Sequence, residues 1–215
     1  MKDYIKIFNG YRHAYGIADW TNATVDQESG KKKPVYRWTY EEFTDQIYTD
    51  HLTGNKSVGI QPTNENGDAK FGVIDIDPKK YEDYDKQFYL QTIQEYKLPL
   101  IPIESKSGGL HLYLFMVEFV PSTLIVSFLS NLLPLFNLKP DCEIFPKQTQ
   151  LTKDPESGIL KPGQFINLPY FEKTKRKALN IDGTFFTLEQ FIKVAEANLT
   201  TAEDLKTITD DMEAR

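Results

Sequence analysis

Apolar residues along the chain switch repeatedly between alternate spacing and helical spacing, which predicts an interleaved order of strands and helices. Residues 2–8 (KDYIKIF) read as a strand. Residues 40–50 read as a helix, with Thr39 and Glu42 set as a capping box and Gly54 as its stop. Residues 57–61 and 71–76 read as strands around the turn-rich PTNENGD, so a hairpin is their simplest pairing. The second of these strands is apolar on one face and acidic on the other. Residues 84–96 have helical spacing, and residues 100–104 and 110–117 form a second hairpin around the turn at 105–109. A helix over 122–136 follows Pro121, and short strands are predicted at 142–145 and 165–167 with a long loop between them. Two helices, 187–197 and 201–212, open with Thr187 (with Gln190) and Thr201 (with Asp204). The last has few apolar residues and reads as a peripheral helix or the start of a linker. No repeat or low-complexity tract interrupts this order, which predicts an α+β (mixed α/β) domain built on antiparallel hairpins.

Composition narrows the class. With 215 residues, 40% hydrophobic, and 14 Phe, 12 Tyr and 2 Trp, the chain can bury a substantial core, which excludes a disordered chain or a disulfide-stapled mini-protein. A single cysteine, Cys142, excludes an intrachain disulfide. With only three histidines (His13, His51, His111) beside it, a Cys-rich zinc site is excluded too, so any metal is expected on carboxylates. The net charge of −6 gives no global field toward a phosphate backbone. Local basic runs remain: Lys31, Lys32, Lys33 and Arg37, then Lys173, Lys175, Arg176 and Lys177. The first residues hold no apolar stretch of export-signal length. The most apolar window, 123–138, is broken by Ser127, Ser130, Asn131 and Pro134, so cytoplasmic residence without a membrane span is the expectation.

Three segments carry candidate chemistry. In FGVIDIDP, a strand places Ile74 and Ile76 on one face and Asp75 and Asp77 on the other, roughly 6–7 Å apart. Such a pair can clamp divalent cations, and two hard ions about 3.5–4 Å apart stabilise the attacking and leaving oxygens of phosphoryl or nucleotidyl transfer. A lone D-x-D is common in surface turns. In SKSGGLHLY, a turn of small residues lets backbone N–H groups approach phosphate oxygens, then a strand puts His111 and Tyr113 on one face while Leu110, Leu112 and Leu114 pack inward. In DCEIFPKQ, two acids stand at i and i+2; Glu143, within the strand, is the expected third metal ligand, with Asp141 as the alternative.

Together DIDP, SKSGGLHLY and the acidic strand resemble the three catalytic motifs of archaeo-eukaryotic primases. Within that superfamily, FNGYRHAYG, HLTGNKSVGIQP, EIFPKQ and GQFINLPYF are similar to segments of the primase-polymerase modules of phages, plasmids and TOTE conflict systems. The resemblance implies an RRM-like antiparallel sheet packed with a second α/β unit over residues 1–185, with 186–215 as a helical extension or linker. It implies that Asp75, Asp77 and Glu143 bind two Mg²⁺ or Mn²⁺ ions. Ser105, Ser107 and His111 would hold the triphosphate of an incoming NTP or dNTP, with Lys106, Gly108 and Gly109 as turn residues. Lys147 and Asn167 would touch nucleotide or template, and Arg12 would face the triphosphate. The implied activity is template-dependent addition of nucleotides to a 3′-hydroxyl on single-stranded DNA. Its partners would be template, primer, and a helicase or accessory domain. Family members that start chains de novo carry a zinc-binding or helical accessory module absent from these residues, so extension is the narrower expectation and priming the wider one.

Competing readings are a replication-initiator nuclease, a P-loop ATPase and an inactive binding module. The nuclease needs two histidines on one strand, where GLHLY has one. Gly54-Asn55-Lys56-Ser57 lacks the Gly-Lys-Ser order of a phosphate loop. The binding module would stack single-stranded nucleic acid on Tyr113 and Phe115.

Overall fold

Two antiparallel four-stranded sheets share the aromatic centre of this protein. The computed structural model describes residues 1–213 except 26, 28, 29, 31, 107, 172, 173 and 175. The elements run α1 (Lys2–Ile7), β1 (Tyr15–Val25), β2 (Lys32–Thr39), α2 (Asp45–Leu52), β3 (Val58–Ile60), β4 (Asp68–Ile76), α3 (Lys86–Glu95), β5 (Leu100–Glu104), β6 (Leu110–Pro121), α4 (Ser122–Leu132), β7 (Glu143–Phe145), β8 (Thr152–Lys153), β9 (Leu160–Lys161), β10 (Ile166–Asn167), α5 (Leu188–Ala197) and α6 (Ala202–Glu213). The first sheet has the order β10-β3-β1-β2 and the second β5-β6-β4-β7. The run β4-α3-β5-β6-α4-β7 in that spatial order is the split βαβ arrangement of an RRM-like sheet.

Strand parity explains how the second sheet is buried on both faces. Ile74, Ile76, Leu110, Leu112 and Leu114 point to α3 and α4, as their alternation predicts. α4 packs so closely on β4 that a Cβ at Gly72 would lie 2.3 Å from Ile125 Cγ2. The opposite face carries Phe71, Val73, Ile101, Ile103, Tyr113, Phe115 and Phe145, covered by Tyr4 and Phe8 near α1 and by Phe191 of α5. The face of β4 expected to be acidic is therefore apolar up to Asp75. Tyr113 and Phe115, at 0% and 1% exposure, cannot act as a stacking surface.

Four other expectations are corrected. Residues 2–8 form α1 and its cap, because Tyr4, Ile7 and Phe8 bury at helical spacing, with Tyr4 Oη donating to Pro169 O at 2.7 Å. Thr39 ends a strand, and α2 starts five residues beyond the predicted start: Phe43 N–H donates to Arg12 O while its ring stacks on Tyr48, which holds the preceding chain extended. The segments at 57–61 and 71–76 belong to different sheets, so no hairpin joins them. Instead the connection crosses between the sheets, where Gln61 Nε2 donates to Pro162 O and Thr63 Oγ1 to Gln148 O. The β1–β2 hairpin was not anticipated, since β2 is exposed along most of its length and lacks alternation.

The hairpin of β5 and β6, helix α3 and the capping box at Thr187 and Gln190 lie where the pattern placed them. α6 caps through Thr201 and Asp204 and buries Leu205 against the helical side of the core.

Candidate active site

Three adjacent strands bring the candidate chemistry into one row. Asp75 on central β4 pairs in register with His111 of β6 on one side and with Glu143 of β7 on the other. Directly opposed residues in an antiparallel sheet have Cβ atoms about 4.5–5.5 Å apart, so the two acids and the imidazole are neighbours by backbone geometry alone. His111 Nε2 lies 3.2 Å from Asp75 Oδ1. Burial would raise the Asp75 carboxyl. Its hydrogen bond and charge contact with His111, aided by Lys147 and Lys80, outweigh this and hold it below the ordinary carboxylate value. Lys147 Nζ reaches Glu143 Oε2 at 2.5 Å and Lys80 Nζ reaches Oε1 at 3.2 Å. The Lys147 contact, with burial opposing and Lys80 assisting, likewise lowers Glu143.

Asp77 lies one residue beyond β4, where its Oδ1 accepts the Lys79 N–H at 3.0 Å and caps a 3₁₀ turn over Pro78–Lys80. Asp141 falls in the turn before β7, so Glu143 is the acid in register with Asp75. The 3₁₀ turn and β6 meet at Gly109, where a Cβ would lie 2.3 Å from Ile76 O and 2.8 Å from Pro78 Cδ. Only glycine lets the 105–109 turn press against the end of the acidic strand.

The turn itself is closed by its own bonds. Ser105 N–H donates to Gly109 O, Gly108 N–H to Ser105 O, and Gly109 N–H to Ser105 Oγ at 3.1 Å. Gly108 has φ +86°, a left-handed conformation that glycine adopts without strain. The amides of Gly108 and Gly109 are thus engaged within the turn. Ser107 lies outside the described residues. Burial, and Arg176 nearby, lower the Lys106 ammonium below its ordinary value.

The remaining candidates are spread out. Arg12 is committed to α2, with Nη2 3.1 Å from Asp45 Oδ1 and its guanidinium over the Phe43 and Tyr48 rings. Asn167 sits opposite Gly59 on the first sheet, its Oδ1 buried without a hydrogen-bond partner. Two cations were not singled out by sequence. Lys80 reaches Glu143 across 63 positions, and nothing in DPKK separates it from Lys79. Arg176, noted in the sequence only as one member of a basic run, is 7% exposed and donates to Ser57 Oγ at 2.9 Å. Among the described residues, no group of three or more His, Cys, Asp or Glu side chains is arranged to hold a metal ion. None of their helices is long and apolar enough to cross a membrane.

The architecture is a mixed α/β fold with antiparallel sheets and C-terminal helices, consistent with that of primase-polymerases. Residues 6–209 match the family model described as the TOTE conflict system, archaeo-eukaryotic primase domain, and the chain belongs to that family. A comparison with curated proteins returned no match.

Proposed function

We propose that this protein is a template-dependent nucleotidyltransferase that extends a 3′-hydroxyl on single-stranded DNA. The observation that carries this reading is the single row Glu143–Asp75–His111 across β7, β4 and β6, with Asp77 following at the strand end. The donor set suits hard divalent ions: Asp75, Asp77 and Glu143 offer carboxylate oxygens, and the cations on Glu143 are lysines that a divalent ion can displace. Bound Mg²⁺ or Mn²⁺ supplies Lewis-acid stabilisation of the attacking and leaving oxygens.

The protein's own groups do the rest. His111, held against Asp75 through Nε2, sets its imidazole at the edge of the acidic row, where the anionic end of a nucleoside triphosphate would be received. Lys106 and Ser105 stand on the same turn, and Lys147 and Lys80 become available to phosphate oxygens once Glu143 releases them. Positive side chains aimed at a transferring phosphoryl group act through charge preorganised before the reaction. No protein nucleophile is required.

The test is incorporation of labelled NTPs and dNTPs on primed and unprimed single-stranded DNA with Mg²⁺ or Mn²⁺. Wild type is expected to extend the primed template, and Asp75→Ala and Asp77→Ala are expected to show no product while melting as cooperatively as wild type. Extension at wild-type rate by either variant would refute the assignment. Product on the unprimed template would add priming to the activity.

A further inference from the structure

The aromatic rings that the second sheet turns toward α1 and α5, Phe71, Tyr113, Phe115 and Phe145, are enclosed, whereas the first sheet carries an aromatic cluster that reaches solvent. Tyr36 of β2 is 48% exposed, and Trp38 and Phe165 are half-buried. Their support is a floor without side chains. Gly16 of β1 and Gly59 of β3 are paired in register, and a Cβ on either would come within 2.3 Å of the Phe165 ring. Trp38 stands edge-on to Phe165 at 5.0 Å and 82°, and Tyr36 at 6.2 Å and 63°.

The cluster is anchored toward the acidic row. Trp38 Nε1 donates to Gly163 O at 2.9 Å. Gly163 packs on Gln148, whose Oε1 accepts from Gln164 N–H at 2.8 Å and from Gln61 Nε2 at 3.2 Å. Gln148 follows Lys147, which holds Glu143. One short, bonded stretch of chain therefore joins the rings to the carboxylates.

Charge complementarity selects the occupant. Lys32 is exposed and shares the Tyr36 and Trp38 face of β2, ~13 Å from Tyr36 at about 3.3 Å per residue. One exposed and two half-buried rings, with an ammonium further along the same face, suit a single-stranded polynucleotide: bases stack on rings whatever their sequence, and the phosphates of neighbouring nucleotides meet the cation. We infer that Tyr36, Trp38 and Phe165 form the stacking platform that holds a single-stranded template beside the Asp75 row, a placement that rests on the nucleotidyltransferase reading.

The test is fluorescence anisotropy of labelled oligo(dT), oligo(U) and a DNA duplex with the full chain, without nucleotide or divalent metal. Tyr36→Ala and Phe165→Leu are each expected to weaken single-strand binding by roughly tenfold and to leave its salt dependence unchanged, because they remove a stacking ring and no charge. Lys32→Gln is expected to lower the salt slope by about one. Wild-type affinity in both ring variants overturns the inference, as does a loss of affinity confined to variants whose melting temperature also falls. A dimer that Tyr36→Ala dissociates, with oligonucleotide affinity unchanged, would make the face a self-association surface and equally overturn it. The two readings fail separately: Asp75→Ala is expected to bind oligonucleotide as wild type does, so surviving incorporation in that variant would sink the enzymatic reading and leave the platform standing.

Discussion

Gly109 is where the turn of the second motif is pressed against the acidic strand, and replacing it by alanine tests how tightly that geometry is set. The new Cβ would lie 2.3 Å from Ile76 O and 2.8 Å from Pro78 Cδ, against an ordinary contact of 3.4 Å or more. Relief requires about 1 Å of movement between backbone segments, since neither neighbour is the end of a flexible side chain. Ile76 has little freedom to move: it pairs with Leu110 and its side chain is fully buried. Overpacking of about 1–3 kcal/mol, plus about 1 kcal/mol for the strained Gly109 N–H to Ser105 Oγ bond, gives a loss of ~2–4 kcal/mol. For a chain of this size that lowers the melting temperature by roughly 5–15 °C. Gly108→Ala is the control, because nothing lies within 4 Å of its Cβ; the cost there is that of a left-handed alanine, about 1–2 kcal/mol, with no displacement of Asp77. Thermal melts would be paired with nucleotide incorporation well below both transitions. Gly109→Ala is expected to lose incorporation while still folded, and Gly108→Ala to keep most of it. A Gly109→Ala protein that melts within about 2 °C of wild type would refute the packing argument.

Two further outcomes follow from buried side chains. Burial pushes His51 down to about 4, and its two ring nitrogens are bonded to Pro169 O and Val58 N–H. The folded value lies below the unfolded one of about 6.5, so between those limits the unfolded chain binds the extra proton. Stability is therefore full above that window and falls by up to ~3 kcal/mol as pH drops through it. Melts across pH 4–7 should show this dependence flattened in His51→Asn; an identical slope in the variant would contradict it. Phe115→Ala is expected to cost about 3–5 kcal/mol of stability, since the ring is fully buried among Phe8, Tyr113 and Phe191. Weakened oligonucleotide binding by folded Phe115→Leu, with its melt unchanged, would overturn the assignment of this ring to the core.

The second sheet was readable because its signals are local. Alternation in LIPIE and LHLYLF, a glycine turn between them and a well-capped α3 all specify the β5–β6 hairpin and its helix without reference to distant residues. The first sheet is assembled from pieces that carry no such signal. β3 and β10 are three and two residues long and are recruited by pairing across more than a hundred positions. β2 is mostly exposed, so its apolar residues mark a surface and not a core face. At 2–8, Tyr4, Ile7 and Phe8 fall at helical spacing while only Ile5 and Ile7 alternate, and packing against Phe191 and Tyr48 seats the helix. The site divides in the same way. The residue types of Asp75, His111 and Glu143 were visible in the chain, but their juxtaposition depends on strand order, and the lysines on Glu143 depend on a turn whose exposed face has no pattern.

That row poses an electrostatic problem whose solution makes a last prediction. Asp75 and Glu143 are like charges directly opposed on neighbouring strands, an arrangement that destabilises a sheet unless cations intervene. His111 is bonded to Asp75, while Lys147 and Lys80 pair with Glu143, so the two acids have their partners on different sides. A divalent ion concentrates more charge between the acids than two lysines and an imidazole do, and it binds the folded row in preference to the unfolded chain. Saturating Mn²⁺ at about 100 times its dissociation constant would then add ~2.7 kcal/mol, a rise in melting temperature of roughly 5–10 °C for a chain of this size. Removing the competitor should sharpen the effect: Lys147→Met is expected to melt lower than wild type without metal, from exposed repulsion, and to gain more from Mn²⁺. Asp75→Ala should gain little. A wild-type melt that does not move with millimolar Mn²⁺, or one that moves equally in Asp75→Ala, would mean that the lysines and the histidine are the permanent partners of this row.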